Sequence, residues 1–241
     1  MAELVRTEDR GPVRHVVLNR PEKRNAFHGE LVLALGDALR AAADDAEVRC
    51  VVLRGEGPVF SAGMDVGALA ELGRTPERLR AFRRECITAW NLAEEMPKPV
   101  VGQIHGACLG GAMELALACD LRVLSADAVM CLPETRLGLV PDVGGSSRLP
   151  QVVGLGRAKE LVMTARTVGA EEALRIGLAN RVAPAERLDA VTTELVDELL
   201  AANPLAVGLA KRLLDASARP ALSTTLELEV AAQEVCVKSL S

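Results

Sequence analysis

The chain has 241 residues, of which 49% are hydrophobic and 25% are charged, so one domain can bury a core without disulfides or structural metals. Aromatic residues make up only 2%, which excludes a stacking platform for single-stranded nucleic acid. With a net charge of −5, the protein has no overall positive potential that would attract polyanions. We therefore expect no nucleic-acid partner.

The N-terminal residues and the cysteines predict the cellular compartment. Residues 1–11 carry acids and arginines and no apolar signal core, and no apolar run is long enough to span a membrane. The six cysteines are scattered without C-x-x-C spacing, as in proteins with reduced, buried thiols. We therefore expect a cytoplasmic protein with no membrane partner.

Strand and helix patterns alternate along the first half of the chain. β-branched runs predict strands at 13–18 and 48–53, and Leu31, Leu35 and Leu39 form the apolar stripe of a helix between them. The same patterns predict a helix at 75–95, a strand at 100–104, a helix at 112–118 and a strand at 121–124. This alternation predicts an α/β fold with mostly parallel strands.

Helical patterns dominate beyond Pro133, and no Ser/Gly-rich linker separates them from the first half. The predicted helices lie at 158–164, 170–175, 186–201, 204–216 and 221–236. Leu222, Leu226 and Val230 recur every four residues in the last of them. We expect this apolar stripe to dock on the body of the protein or on a neighbouring subunit.

Several standard functional motifs are missing from the sequence. No Gly-Lys pair occurs, which excludes a P-loop, and there is no G-x-S-x-G nucleophile motif. The three histidines lack the spacing of metal ligands, so we expect no bound metal.

Two turns rich in small residues follow predicted strands, at 60–65 and at 106–111. Small residues let a ligand approach the backbone closely, and the second turn opens a helix, whose first N–H groups are free donors. Two such turns at neighbouring strand ends would form an oxyanion hole. Tight turns without a ligand are the alternative.

Three acids lie in apolar surroundings near these turns. Glu114 is three residues beyond Gly111 in the predicted helix, and Glu134 follows another apolar stretch. Two carboxyl groups in such surroundings can act as a paired acid and base. Asp142 is the third acid, and its alternative role is an N-cap before the next helix.

Motifs along the whole chain then become recognisable together. They are Leu18-Asn19-Arg20-Pro21 with Asn25-Ala26, Phe60-Ser61-Ala62-Gly63-Met64-Asp65, Gly106 through Gly111 to Glu114, Pro133-Glu134, Gly138, Gly144-Gly145, Arg148-Leu149, Ala170-Glu171-Glu172-Ala173 and Gly177-Leu178. In this order and spacing, the chain resembles the crotonase superfamily, the enoyl-CoA hydratases and isomerases.

The resemblance implies a fold and an assembly. The fold is a spiral of ββα units over residues 1–190 that contains the active site. Residues 191–241 form a helical region of the same structural unit, which joins subunits into trimers or dimers of trimers. The ligand is an acyl-CoA thioester, and no separate cofactor is expected because coenzyme A is part of the substrate.

The resemblance also implies roles for individual residues. The backbone N–H groups of Met64 and Gly111 hold the thioester carbonyl. The remaining substrate-binding positions are Lys23, Arg24, Ala26, Ala62, Asp65, Val66 and Gly110. In a hydratase, Glu114 helps water attack the β-carbon and Glu134 supplies a proton to the α-carbon.

Asp142 opens a second interpretation. Typical hydratases carry glycine at this position, whereas dienoyl-CoA isomerases carry an aspartate that works with the residue equivalent to Glu134. Those isomerases usually carry aspartate, not glutamate, at position 114. The leading hypothesis is therefore a 2-enoyl-CoA hydratase. The alternatives are a double-bond isomerase that uses Glu134 and Asp142, and an acyl-CoA-binding protein without turnover.

Overall fold

Strands and helices alternate in the computed structural model, which describes residues 3–72, 75–218, 226–227 and 229–234. The strands are β1 (Val5–Arg10), β2 (Val13–Leu18), β3 (Cys50–Gly55), β4 (Val100–Ile104), β5 (Ala107–Leu109), β6 (Leu121–Ser125), β7 (Val129–Cys131), β8 (Val168–Gly169) and β9 (Arg181–Ala183). The helices are α1 (Gly29–Asp44), α2 (Val66–Leu72), α3 (Pro76–Glu95), α4 (Gly111–Ala118), α5 (Gly145–Val153), α6 (Leu155–Thr164), α7 (Ala170–Arg175), α8 (Leu188–Ala201) and α9 (Pro204–Ala218).

The larger sheet contains six strands in the order β1-β2-β3-β4-β6-β9. Strand β1 pairs antiparallel with β2, and every other pair in this sheet is parallel. The apolar residues of β3 and β4 are buried on both faces, as parallel sheets covered by helices require. The prediction of an α/β protein with mostly parallel strands is therefore confirmed.

Helices cover both faces of this sheet. Leu31, Leu35 and Leu39 of α1 are fully buried in the main core, so the predicted apolar stripe is confirmed. On the other face, Leu188 and Leu195 of α8 pack with valines of β2, β3, β4 and β6. The sheet thus has a core on each side, and its strand ends are held in fixed positions.

A small second sheet supports the loops beyond those strand ends. Its order is β5-β7-β8, with β5 parallel to β7 and β7 antiparallel to β8. Strand β5 lies within the turn at 106–111, and β7 ends just before Glu134. This sheet therefore links the second turn directly to the segment that carries Glu134.

Some elements differ from the sequence-based expectations. The strand expected at 48–53 is Cys50–Gly55, and the helix expected at 186–201 begins at Leu188. Strand β1 was not predicted, because five of its six residues are exposed and mostly charged. Helices α2 and α5 were not predicted either, and β5, β7, β8 and β9 were missed because strands of two or three residues give too little periodicity.

The helix expected at 221–236 is described only in part. Residues 226–227 and 229–234 are helical, and Leu226 is buried, whereas Leu222 lies outside the described residues. Five cysteines in the described ranges are free and buried. None of the helices in those ranges is both long and apolar enough to cross a membrane.

Candidate active site

The two turns predicted from small residues lie side by side. The backbone N–H of Ser61 donates to the carbonyl of Ala107 at 3.1 Å, and the N–H of Leu109 donates to the carbonyl of Ser61 at 3.2 Å. Gly63 packs so closely on the carbonyl of Leu109 that a Cβ atom would collide with it. Only glycine therefore permits this contact between the turns.

Each turn contains one backbone amide of interest, that of Met64 in the first turn and that of Gly111 in the second. Gly111 is the first residue of α4, and its Cα packs against the side chain of Met64. Among the turn and loop hydrogen bonds of the described ranges, none has the N–H of Met64 or Gly111 as its donor. The indole Nε1 of Trp90 donates to the Gly111 carbonyl at 3.2 Å and so helps to hold the first residue of α4 in place. Both amides are therefore candidates to donate to a bound ligand.

A buried asparagine holds the first turn in place. Asn25 has a left-handed backbone (φ 53°) and is fully buried. Its side-chain amide donates at 2.9 to 3.1 Å to three carbonyl oxygens, those of Glu56, Val59 and Phe60. The Ser61 hydroxyl donates to the Asn25 carbonyl at 2.8 Å. The position of the turn thus depends on one side chain far from it in sequence.

Glu114 lies on α4, one turn beyond Gly111, and is 2% exposed. Its Oε1 accepts the backbone N–H groups of Val143 at 3.0 Å and Gly145 at 2.7 Å. Burial raises the pKa of Glu114 well above its usual value, and the nearby carboxyl of Glu134 raises it further. The surroundings of Glu114 therefore favour its protonated form more than water does.

Glu134 begins a short 3₁₀ turn directly after β7 and Pro133. Its Oε1 lies against Gly110, where a Cβ atom would be only 2.8 Å away. Its Oε2 is buried without a hydrogen-bond partner among the residues that the structure describes. Burial raises the pKa of Glu134 to about 7. This carboxyl can therefore either give or take a proton at neutral pH.

Asp142 forms a buried ion pair with Arg83 of α3. Burial raises the pKa of Asp142 to about 6, and the Arg83 guanidinium opposes that increase. The N-cap of α5 is Gly144, and no side chain caps it. The N-cap role considered for Asp142 is therefore wrong, because its carboxylate is engaged by Arg83.

The other expected substrate-binding residues lie around the first turn. Lys23 and Arg24 are exposed, and the Arg24 carbonyl accepts the N–H of Ala62 at 2.9 Å. Asp65 accepts the N–H of Gly67 at 3.0 Å at the start of α2 and pairs with Arg20 at 2.8 Å. The remaining positions are Ala26, which is half-buried, and Val66, which is exposed. In this structure, the Asp65 carboxylate links Arg20 to the start of α2 and so stabilises the first turn.

The last helical segment supplies two contacts that sequence reasoning missed. Glu229 accepts the N–H of Gly144 at 2.8 Å, and Gln233 accepts the N–H of Val140 at 2.9 Å. Their spacing of four residues places both on one helix face, the only signal that the sequence offered. These bonds hold the loop that carries Asp142 and that binds Glu114. No metal-binding cluster of three His, Cys, Asp or Glu residues occurs within the described ranges.

Comparisons with known proteins show which family this chain belongs to. The family model described as enoyl-CoA hydratase/isomerase matches residues 8–241. The chain is 34% identical over 236 residues to the short-chain-enoyl-CoA hydratase of Clostridium acetobutylicum, covering 95% of this chain and 87% of the relative.

Solved structures show the same fold. An enoyl-CoA hydratase from Mycobacterium avium subsp. paratuberculosis K-10 superposes with a TM-score of 0.89 at 28% identity, covering 99% of this chain and 95% of the other. A Thermobifida fusca YX structure in complex with CoA superposes with a TM-score of 0.83 at 33% identity, covering 99% and 94%. The chain therefore belongs to the enoyl-CoA hydratase/isomerase family and has the crotonase fold.

Proposed function

We propose that this protein is a 2-enoyl-CoA hydratase, which adds water across the 2,3 double bond to give a 3-hydroxyacyl-CoA. The observation that carries the proposal is the pairing of two buried glutamates beside two available backbone amides. Burial raises the pKa of both glutamates, and the charge of Glu134 raises the pKa of Glu114 further, because two neighbouring carboxylate charges are poorly solvated there. Hydration requires one group to take a proton and another to give one.

The N–H groups of Met64 and Gly111 donate hydrogen bonds to the thioester oxygen and stabilise the negative charge that develops on it. Donors placed in this way are worth about 3 to 4 kcal/mol each in the transition state. Their positions are fixed by Asn25 behind the first turn and by Trp90 behind Gly111. The turns need no rearrangement when the charge appears.

The two glutamates complete the addition. Glu114, held by the N–H groups of Val143 and Gly145, takes a proton from water as the water oxygen bonds to the β-carbon. The electron pair of the double bond moves toward the thioester carbonyl, and Glu134 then gives its proton to the α-carbon. Transfer of the proton from Glu114 to Glu134 restores the starting state. The sum is the addition of one water.

Coenzyme A would enter beside the first turn. Lys23 and Arg24 are exposed there and can meet phosphate groups, while Ala26, Ala62 and Val66 leave room for the pantetheine arm. Gly110 gives the acyl chain close access to Glu134. The Thermobifida fusca relative contains CoA, which supports this ligand class.

Double-bond isomerisation is the second candidate, because Asp142 lies close enough to Glu134 to raise its pKa. In that reaction, Glu134 and Asp142 would move a proton between carbons without adding water. The Arg83 ion pair favours hydration, because it holds Asp142 as a paired carboxylate.

Mass spectrometry of products from 2-enoyl-, 3-enoyl- and dienoyl-CoA esters separates these reactions. Hydration adds the mass of one water, whereas isomerisation leaves the mass unchanged. Asp142→Asn abolishes turnover only if Asp142 carries a proton in an isomerase. Tight binding of every ester without any product would support the third alternative, an acyl-CoA-binding protein without turnover.

The proposal includes a homotrimer or dimer of trimers in the cytoplasm. Helix α9 exposes four leucines, namely Leu205, Leu209, Leu213 and Leu214. An exposed apolar face of this kind is typical of a subunit interface. Light scattering of the purified protein would give the mass of the assembly, and a monomer would contradict this part of the proposal.

A further inference from the structure

Arg83 is a buried cation that the proposed hydration does not use. Its side chain is 4% exposed, and its Nε pairs with Asp142. Its Nη1 is buried without a hydrogen-bond partner among the described residues. A buried donor left unpaired costs about 1 to 3 kcal/mol, and more when it is charged. Such a group needs a partner that the described residues do not provide.

The position of Arg83 along α3 shows which part of a substrate it would meet. Trp90 binds the carbonyl of Gly111 and so marks the thioester end. Arg83 lies seven residues earlier, which is two helical turns, or about 10 Å, along the same helix face. Both side chains are buried, as is Cys86 between them. Arg83 therefore lies about 10 Å from Trp90, toward the start of α3.

The acids indicate that this face of α3 lies near the proposed catalytic glutamates. The pKa of the Cys86 thiol is raised by burial and then by the charges of Asp142 and Glu114. Asp142 also raises the pKa of Glu114 and of Glu134. Val143, the residue after Asp142, donates its N–H to Oε1 of Glu114 at 3.0 Å, so the ion pair of Arg83 and Asp142 lies beside this glutamate. An acyl chain that continues past the β-carbon would extend toward that ion pair.

The charges around Arg83 decide the chemistry of its partner. Its positive charge is already balanced by Asp142, and Glu114 and Glu134 are close to that pair. A carboxylate on the acyl chain would add negative charge to an acidic region. A hydroxyl or ketone oxygen accepts the N–H without adding charge.

We propose that Arg83 is a specificity-determining residue that selects acyl groups with a neutral oxygen, a hydroxyl or a ketone, several carbons beyond the β-carbon. This inference rests on the proposed acyl-CoA function of the same site. A purely hydrocarbon chain would leave the Nη1 donor unpaired, and the site would bind it more weakly for that reason.

Binding by calorimetry tests the inference without turnover. The probes are octanoyl-CoA and octanoyl-CoA esters with a hydroxyl or ketone at one of the carbons from the fifth to the seventh. We expect the best oxygenated ester to bind at least about 10-fold more tightly than octanoyl-CoA, which corresponds to one hydrogen bond to a charged donor. Equal or tighter binding of octanoyl-CoA would overturn the inference.

A paired substitution removes the donor without leaving a buried charge. In R83M/D142L both members of the ion pair are replaced by apolar side chains, so neither charge is stranded. We expect this variant to lose the preference for oxygen. The matched control is Arg84→Met on the exposed side of α3, which should keep it. A preference that survives in the double variant would contradict a role for Arg83.

A second variant covers the case in which the double variant does not fold. Arg83→Lys keeps a positive charge for Asp142 but lacks the planar fork of N–H donors, and should also reduce the preference. Hydration of 2-octenoyl-CoA by the unmodified protein is measured separately. Selective binding without hydration would disprove the hydratase and leave the Arg83 inference intact, whereas hydration without selectivity would do the opposite.

Discussion

The carboxylate of Glu229 accepts a hydrogen bond from the backbone N–H of Gly144 at 2.8 Å. Glu229 belongs to the last helical segment, and Gly144 ends the loop that carries Asp142. The neighbouring Gly145 donates to Glu114. A residue 115 positions away from Glu114 in sequence therefore helps to hold its carboxyl in place.

The free energy of unfolding should fall as the pH rises, because Glu229 loses its proton. Burial raises the pKa of Glu229 from 4.5 to about 7, so the folded state keeps a proton that the unfolded state releases. This contribution is complete below pH 4.5 and is lost as the pH rises to about 7. Glu229→Gln keeps an oxygen for Gly144 and removes the titration.

Urea unfolding at pH about 5 and about 7.5 would measure the difference. We expect the unmodified protein to lose more unfolding free energy over this interval than Glu229→Gln. The other buried acids titrate in both proteins, so their contributions cancel. Parallel pH profiles for the two proteins would contradict the assignment.

The Gly110→Ala substitution should lower activity while leaving the protein folded. Gly110 has a positive φ of 52°, and the new Cβ would be 2.8 Å from Oε1 of Glu134. The carboxyl must move away, and the backbone becomes strained by about 1 kcal/mol or more. We expect kcat for crotonyl-CoA to drop at least about 10-fold, because misplaced groups lose alignment.

The matched control for Gly110→Ala is Gly156→Ala in α6. Its Cβ would meet nothing within 4 Å, and alanine favours a helix more than glycine does. This variant should keep full activity and gain up to about 1 kcal/mol of stability. Equal activity in both variants would show that Gly110 does not position Glu134.

The pH dependence of hydration should report the proton on Glu134. As the proposed acid, Glu134 must be protonated, and its pKa is raised to about 7. We expect kcat/KM for crotonyl-CoA to decline above pH 7, about tenfold per pH unit once Glu134 is ionised. Rates that rise through this range would assign Glu134 to the role of base.

Removing either catalytic carboxyl should be far more damaging than removing a surface one. Glu114→Gln and Glu134→Gln are each expected to lower kcat by about two to four orders of magnitude. Glu30→Gln is the control, since its side chain is 81% exposed at the start of α1. Unchanged hydration of crotonyl-CoA in both active-site variants would refute the hydratase mechanism.

The Asn25→Ala substitution should destabilise the fold as well as the site. It leaves the carbonyls of Glu56, Val59 and Phe60 without their shared donor, one of them fully buried in this contact. We expect a loss of at least about 3 kcal/mol in unfolding free energy. Asn203→Ala, which removes an exposed helix cap, should cost about 1 kcal/mol. Similar losses in both variants would mean that the hydrogen bonds of Asn25 contribute little to the free energy of unfolding.

Periodicity was sufficient to predict the longest helices and the buried strands of the larger sheet, whereas the strands of two or three residues and helices α2 and α5 were missed. The apolar residues of α1 recur at a helical interval, and β2 and β4 contain consecutive buried valines. Both patterns can be recognised in the sequence alone. Strand β1 pairs through its backbone at a sheet edge, so its side chains remain charged and exposed. Three-residue strands such as β7 contain less than two full repeats of any pattern.

The same limit applies to the candidate site. The two turns and the acids Glu114 and Glu134 could be predicted, since small residues and apolar neighbours mark them locally. The partners that hold them could not, because Asn25, Trp90 and Glu229 act through contacts between distant segments. Arg83 lies among charged residues of a helix, where nothing in the local pattern separates a buried arginine from an exposed one.

The contact between Trp90 and Gly111 makes the protein its own optical probe. The chain has one tryptophan and no tyrosine, so its near-ultraviolet fluorescence comes from a single indole. That indole donates its only hydrogen bond to the carbonyl of Gly111, the residue whose own N–H is proposed to hold the thioester oxygen. An acyl-CoA that binds the Gly111 N–H changes the polarity close to the indole, and its arrival can be followed in unlabelled protein as a change in emission.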